Sequence, residues 1–279
     1  MKFVGWLVLG LLLGPSISNF PQPSWFSTLA QIAGGIFLFF AGWELKFLDL
    51  WKDRRFYLWN FLGAFGVPFV AGYLYFNHNL FMAIALGLSA LPVAIQILKE
   101  KKLYDTALAR RAITLASLCD IVAWVVFAFL LPEQRLSSWI LSHWIVLAFF
   151  LGLFIGKIRE LRLPDQIMSL QMWVLAPLFF VGLGWKIDIV SLFSWAVFVE
   201  TFLIAIISKS LGVYISSRFS KVSFKEAWNL AALLNARGAM EVLAAHYAYQ
   251  SGLIDGNMFA ALVVVGISTS VMAAPALRR

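Results

Sequence analysis

TLASLCDIVAWVVFAFLL, residues 114–131, is an almost unbroken apolar run with one carboxylate, Asp120, near its middle. Eighteen helical residues rise about 27 Å, close to the ~30 Å hydrocarbon core of a bilayer. A carboxylate at that depth costs about 3 kcal/mol on insertion scales, so an intramembrane acid marks a functional site by default. The rest of the chain has the same texture. Its 279 residues are 62% hydrophobic and 13% charged, outside the range of soluble domains. Apolar runs of about 20 residues alternate with short charged clusters. We expect an all-α, polytopic membrane protein of about ten spans, near 3–19, 26–45, 57–76, 79–98, 108–131, 137–156, 167–187, 191–215, 225–249 and 256–276. No stretch reads as a soluble domain, a low-complexity tail or a long linker, so residues 1–279 form a single membrane domain.

The formal charge of +8 does not point to nucleic acid, because the basic residues are sorted by side. Eighteen of the 22 Lys and Arg fall at the termini and in the even-numbered loops, and only Arg135 and Lys186 in the odd ones. This positive-inside pattern places both termini in the cytoplasm of a plasma (bacterial inner) membrane and favours an even number of spans. The opening MKFVGWLVLGLLLGPSIS has the shape of a signal peptide, but its removal would start the next segment outside, against the charge pattern. Cys119 is the only cysteine, so no internal disulfide forms.

The remaining two basic residues, Lys209 and Arg237, lie within spans, as do Asp120, Glu200 and Glu241. Span 4 reads ALGLSALPVAIQIL, with Pro92 mid-membrane after Gly87 and Ser89. Span 9 reads LAALLNARGAMEVLAA, with Asn235 and Gly238 around the arginine. Both look like broken helices. Counting from the nearest charged edge at 1.5 Å per residue puts Asp120, Lys209, Ser89–Pro92 and Asn235 all roughly 10–15 Å deep. Spans 3, 4 and 5 run plain, broken, Asp-bearing, and spans 8, 9 and 10 run Lys-bearing, broken, plain. The two triplets start on opposite sides of the membrane, as an inverted repeat with two crossed discontinuous helices requires. In a low-dielectric setting a carboxylate holds a proton or a cation but not both, and that exclusion couples two fluxes. Unwound carbonyls at the breaks replace part of a cation's hydration shell.

At these residues a family resemblance emerges. ALGLSALPVAIQILKEKKLYDTALARRAITLASLCDIVAW (85–124) resembles the signature region of the monovalent cation:proton antiporter-2 superfamily, the sodium/hydrogen exchanger fold. LLNARGAMEVLAAHYAYQSGLIDGNMFAALVVVGISTSVMAAPAL resembles its C-terminal pair of spans, with an N-x-R-G-x-x-E motif. LLLGPSIS, GGIFLFFAGWELK and PLFFVGLGWKID match further blocks in the right order. The resemblance implies secondary-active exchange of Na⁺, K⁺ or Li⁺ for H⁺ by alternating access, with no cofactor. Asp120 would bind cation and proton, with Cys119 and Ser89 beside it, and Lys209 would tune the charge. Pro92, Asn235, Arg237, Gly238 and Glu241 would shape the breaks. Residues 57–131 and 191–276 would form a moving core, and 1–45 and 137–187 a panel that makes a homodimer. This sequence departs from the family at Cys119, where Asp or Asn is common, and at Gln96, a frequent arginine. The chain also starts at what resembles the family's second span, and two spans are missing between 131 and 138.

Other readings of single residues stay open. Lys209 is either a counter-ion for Asp120 or a proton carrier. Arg237 and Glu241, four apart on one helical face, pair with each other. Glu200, nine residues before Lys209, points away from it. His78, His143 and His246 fall at the non-cytoplasmic side as interfacial residues or pH sensors. Trp25, Trp43, Trp59, Trp139, Trp185 and Trp228 near span ends read as interface anchors. KEKKLYDTALARR (99–111) reads as a solvated turn, and 45–56 as an amphipathic surface stretch. Two competing functions are a non-transporting scaffold or sensor derived from an antiporter and a sodium-coupled organic anion symporter. No phosphate loop, zinc cluster or nucleophilic triad is present in the sequence.

Overall fold

The computed structural model describes residues 2–15, 17, 18, 20–43, 53–130, 144, 147–156, 165–220 and 222–277. Residues 45–52 of the expected surface stretch, Arg135, Trp139 and His143 lie outside the described residues. Among the described residues every regular element is a helix. In chain order these are α1 (Lys2–Leu13), α2 (Ser24–Trp43), α3 (Arg54–Tyr75), α4 (Leu80–Gly87), α5 (Leu91–Glu100) and α6 (Ala107–Leu130). There follow α7 (Leu147–Gly156), α8 (165–184), α9 (Ile189–Leu192), α10 (Trp195–Phe219), α11 (Phe224–Leu234), α12 (Ala239–Gln250) and α13 (Gly256–Ala276). Three described helices, α3, α10 and α13, are long and apolar enough to cross a membrane unbroken. The first helix stops at Leu13 rather than near 19, because Gly14 opens a turn before Pro15.

Helices α3 and α8 each widen into a π-turn, at Leu62–Gly66 and Gln171–Leu175. Both turns have the same cause. Pro68 and Pro177 follow two residues later. A proline has no N–H for the carbonyl four residues back, here Ala64 and Trp173, and its ring crowds that carbonyl.

The chain divides into two compact units, Met1–Lys46 with Pro132–Leu192, and Phe47–Leu131 with Phe193–Arg279. The first is built on small residues. A Cβ on Gly10 or Gly184 would strike backbone of the facing helix, so α1 and the end of α8 lie backbone to backbone. Between α2 and α8, Phe37 stacks on Phe179 and meets Phe180 edge-on, and Gln22 donates to the Gly182 carbonyl at 3.0 Å. Lipid tails are as apolar as leucine, so close packing and buried hydrogen bonds rather than hydrophobic exclusion hold such helices.

The second unit carries the two interrupted helices, α4/α5 and α11/α12, with α3, α6, α10 and α13. Helices α3 and α10 cross at Gly63 and Gly212, and a Cβ on either would overlap the carbonyl oxygen of the other. One turn away, fully buried Asn60 donates to Ser220 Oγ at 3.0 Å and accepts from Ser216 and Ser217 at 3.2 and 2.9 Å. This polar knot fixes the register of the crossing.

Candidate functional site

Helix α4 begins on an Asn79 side chain that accepts from the Met82 N–H and ends at Gly87. The chain is extended at Leu88, with ψ 149°, and restarts at Leu91. The interruption therefore spans Leu88–Ala90, ahead of Pro92, which is the second residue of α5. Proline still causes it. A continuous helix would need a Pro92 N–H to satisfy the Leu88 carbonyl, and there is none. At the first turn of a new helix the missing N–H costs nothing. The second interruption, Asn235–Gly238, contains no proline.

The interruptions touch. Ala90 N–H donates to the Ala236 carbonyl at 2.7 Å, and the Ser89 hydroxyl donates to the Leu234 carbonyl at 3.0 Å. Asn235 Nδ2 donates to Ser210 Oγ at 3.0 Å and to the Ala231 carbonyl at 2.9 Å. The Ser270 hydroxyl of α13 donates to the Arg237 carbonyl. Backbone groups released by the breaks thus find partners inside the unit, as a low-dielectric setting requires.

Among the described residues the charged side chains that are buried are Asp120, Lys209, Arg237 and Glu241, none more than 1% exposed. Each sits at a helix end suited to its sign. The carbonyl end of α4 receives both cations. Lys209 Nζ donates to the Gly87 carbonyl at 2.8 Å, to the Leu88 carbonyl and to Ser89 Oγ at 2.7 Å, which uses all three of its protons. Arg237 donates to the Ala85 and Leu86 carbonyls at 2.7 and 2.6 Å. The amide end of α5 receives Asp120: Ser89 N–H, two residues before that helix starts, donates to Asp120 Oδ1 at 3.2 Å. Glu241 lies in the first turn of α12, with Oε1 2.7 Å from Arg237 Nη1.

This geometry refines two expectations. Lys209 makes no ion pair with Asp120; Ser89 stands between them, its N–H on the aspartate and its hydroxyl under the lysine. Arg237 and Glu241 do pair, but not as neighbours on one helical face, because Arg237 precedes the start of α12 and sits in the break. The partners of Asp120 are also unequal. Oδ1 is tied to the first break, whereas Oδ2 is buried with no hydrogen-bond partner. A buried, unsatisfied carboxylate oxygen is costly unless it meets a proton or a cation.

The other expected residues fall around this set. Cys119 is fully buried with its thiol beside Ser89. Gly238 is the residue before α12. Glu200 is exposed and meets Tyr75 rather than Lys209. His78 is exposed in a turn against the Tyr73 ring, and His246 packs on Tyr247 and Phe259. The 99–111 run is more than a solvated turn. Arg111 is 2.6 Å from Glu226 and 3.2 Å from Asp53, and its guanidinium lies 4.4 Å over Phe56. It ties the ends of α3, α6 and α11 together. Sequence reasoning missed Arg111, Ser210 and Ser270. The serines carry no periodic signal, since a hydroxyl bonding a backbone carbonyl leaves no spacing pattern.

The comparisons with known proteins agree with this architecture. The family model described as "Sodium/hydrogen exchanger, transmembrane" matches residues 2–164 and 136–279. The chain is 24% identical to cation/H(+) antiporter 19 of Arabidopsis thaliana over 364 aligned residues, covering 98% of this chain and 46% of the relative. It therefore spans about half the length of the plant relatives it matches. It is 23% identical to the Na(+)/H(+) antiporter NhaS4 of Synechocystis sp., covering 98% of this chain and 89% of that one. The structure of the sodium proton antiporter MjNhaP1 from Methanocaldococcus jannaschii matches with a TM-score of 0.60 at 15% identity, over 98% of this chain and 90% of that one. At that identity the match is one of fold. A family model that accounts for nearly every residue, on a fold with two interrupted helices meeting at buried charges, makes this chain a member of the sodium/hydrogen exchanger transmembrane family, a family of transporters rather than enzymes.

Proposed function

We propose that the chain exchanges a monovalent cation, Na⁺ or K⁺, for a proton, and that Asp120 is the group for which the two compete. The observation that carries this reading is the divided carboxylate. One oxygen is anchored to the first break, and the other is buried and unpartnered. An anchored acid with one free oxygen is preorganised to take a proton or a cation in turn. The antiport functions in the names of the relatives agree with it. Lys209 then acts on Asp120 through Ser89 rather than by direct contact.

The finer architecture follows the same reading. Helices α3, α4/α5 and α6 form one repeat and α10, α11/α12 and α13 its inverted counterpart, within about ten spans. The reciprocal contact of Gly63 with Gly212 supports it, because each helix opens its triplet. The unit Phe47–Leu131 with Phe193–Arg279 is the ion-carrying core, and the unit Met1–Lys46 with Pro132–Leu192 the panel, which pairs in a homodimer. Both termini face the cytoplasm of a plasma membrane.

The test is everted vesicles carrying the protein, acidified and then given Na⁺, K⁺ or Li⁺ while a dye follows lumenal pH. Recovery with one of these cations that disappears in Asp120→Asn supports the proposal. No recovery with any cation from pH 6 to 9 refutes it in favour of a non-transporting scaffold, and Na⁺-driven uptake of an organic anion would mark a symporter.

A further inference from the structure

A cavity of about 480 Å³ opens on the second unit between α10, α11 and α13. It lies outside the charged site, and its lining is almost wholly apolar. Two ladders of side chains run along it. On α10 they are Ile206, Ser210 and Tyr214, four residues apart, and on α11 and the residue that caps it Trp228, Ala232 and Asn235. Spacings of three and four keep each ladder on one face of its helix. Both ladders continue, at the same end, into an exposed cation. Arg218 follows Tyr214 by four residues, and Lys225 precedes Trp228 by three. Three rings frame this end: Phe224 lies edge-on to Tyr214 at 5.8 Å and tilted against Trp228 at 6.5 Å. The Trp228 indole is fixed by donating to the Ala276 carbonyl at 2.8 Å.

Length and charge together select the occupant. From Phe224 to Asn235 the groove follows eleven residues of helix and break, about 16 Å, against about 15 Å for half of a bilayer core. An apolar trough one leaflet deep, open to the side and ending under two cations, has the shape and polarity of a single phospholipid. We infer that this groove holds one acyl chain of an anionic phospholipid, with its phosphate on Arg218 and Lys225. The inner end of the groove is Asn235, the first residue of the second break, so the lipid packs directly behind the backbone that frames the charged site. The inference needs only that the chain is embedded in a bilayer, and it holds whether or not the chain exchanges ions.

Native mass spectrometry of the intact, purified protein tests it without a transport assay. The protein is offered equal amounts of palmitoyl-oleoyl phosphatidylglycerol and phosphatidylcholine in detergent. The expected result is preferential retention of one phosphatidylglycerol, lost by roughly tenfold or more in the double variant Arg218→Gln, Lys225→Gln, since both cations that attract the anionic headgroup are then gone. Ala232→Phe, which fills the groove and leaves both cations, should reduce retention comparably. Equal retention of the two lipids by the parent chain overturns the inference. So does phosphatidylglycerol binding that survives the double variant, which is a surface change that leaves the core untouched.

Discussion

Replacing Arg237 by methionine should damage this protein far more than replacing its partner Glu241 by glutamine, although both changes break the same ion pair. Arg237 serves three acceptors: the Ala85 and Leu86 carbonyls and Glu241 Oε1, at 2.7, 2.6 and 2.7 Å. Methionine fills similar volume but leaves the Leu86 carbonyl and a buried carboxylate without donors, and the Ala85 carbonyl with only the Leu88 N–H at 3.2 Å. Each hydrogen bond to a charged group is worth about 1.5–3 kcal/mol, and orphaning one member of a buried pair costs about 3–5 kcal/mol. The terms overlap, so about 5 kcal/mol is the expected loss. Glu241→Gln keeps an oxygen for Arg237 and leaves the guanidinium on both carbonyls, so it should cost about 2 kcal/mol. At roughly 2–4 °C per kcal/mol, thermal unfolding of the detergent-solubilised protein should fall by about 10–20 °C for Arg237→Met and about 4–8 °C for Glu241→Gln. Equal shifts would mean that the ion pair itself, and not the capping of α4, is what Arg237 contributes. A neutral Arg237→Met would refute the capping role outright.

Three further outcomes follow from the same geometry. If proton and cation compete for Asp120, lowering the pH on the cation side should raise the apparent KM for the cation without lowering the rate at saturating cation; a falling maximal rate with constant KM in vesicle assays would contradict this. Ser89→Ala removes an acceptor from Lys209 and a donor from the Leu234 carbonyl while keeping the N–H on Asp120. It should slow exchange and cost about 1–3 kcal/mol of stability, and Ser89→Thr, which retains the hydroxyl, should restore both. Arg111→Gln loses a partly exposed pair of acid partners, so unfolding should shift by the equivalent of about 1 kcal/mol or less per pair, and measurably less in high salt.

Much of the candidate site is legible in the sequence because the bilayer makes polar residues conspicuous. Asp120, Lys209, Arg237 and Glu241 stood out against apolar surroundings, and helical rise alone put the first two at one depth. Pro92 announced the first interruption. Its actual centre, Leu88–Ala90, lies upstream, since a proline breaks the bond to the carbonyl four residues before it and tolerates the helix that follows. What stayed hidden was pairing. Spacing gives a residue's height and face along its own helix but not which side chain fills the gap between two helices. So spacing leaves Lys209 either a counter-ion for Asp120 or a proton carrier, and gives no sign that two backbone carbonyls and Ser89 bind its ammonium. Arg111 looked solvated for the same reason, because Asp53 and Glu226 lie 58 and 115 residues away along the chain.

The contact between Gly63 and Gly212 has a consequence for how such a sequence can drift. Most buried neighbours permit exchange: one grows, the other shrinks, and total volume is preserved. Here neither has anything to give up, since both are already hydrogen-sided and each rests on the other's peptide group. No compensating change exists, and the two positions, 149 residues apart in numbering, are frozen jointly. Descendants of this chain can leave that arrangement only by moving whole helices, not by accumulating substitutions.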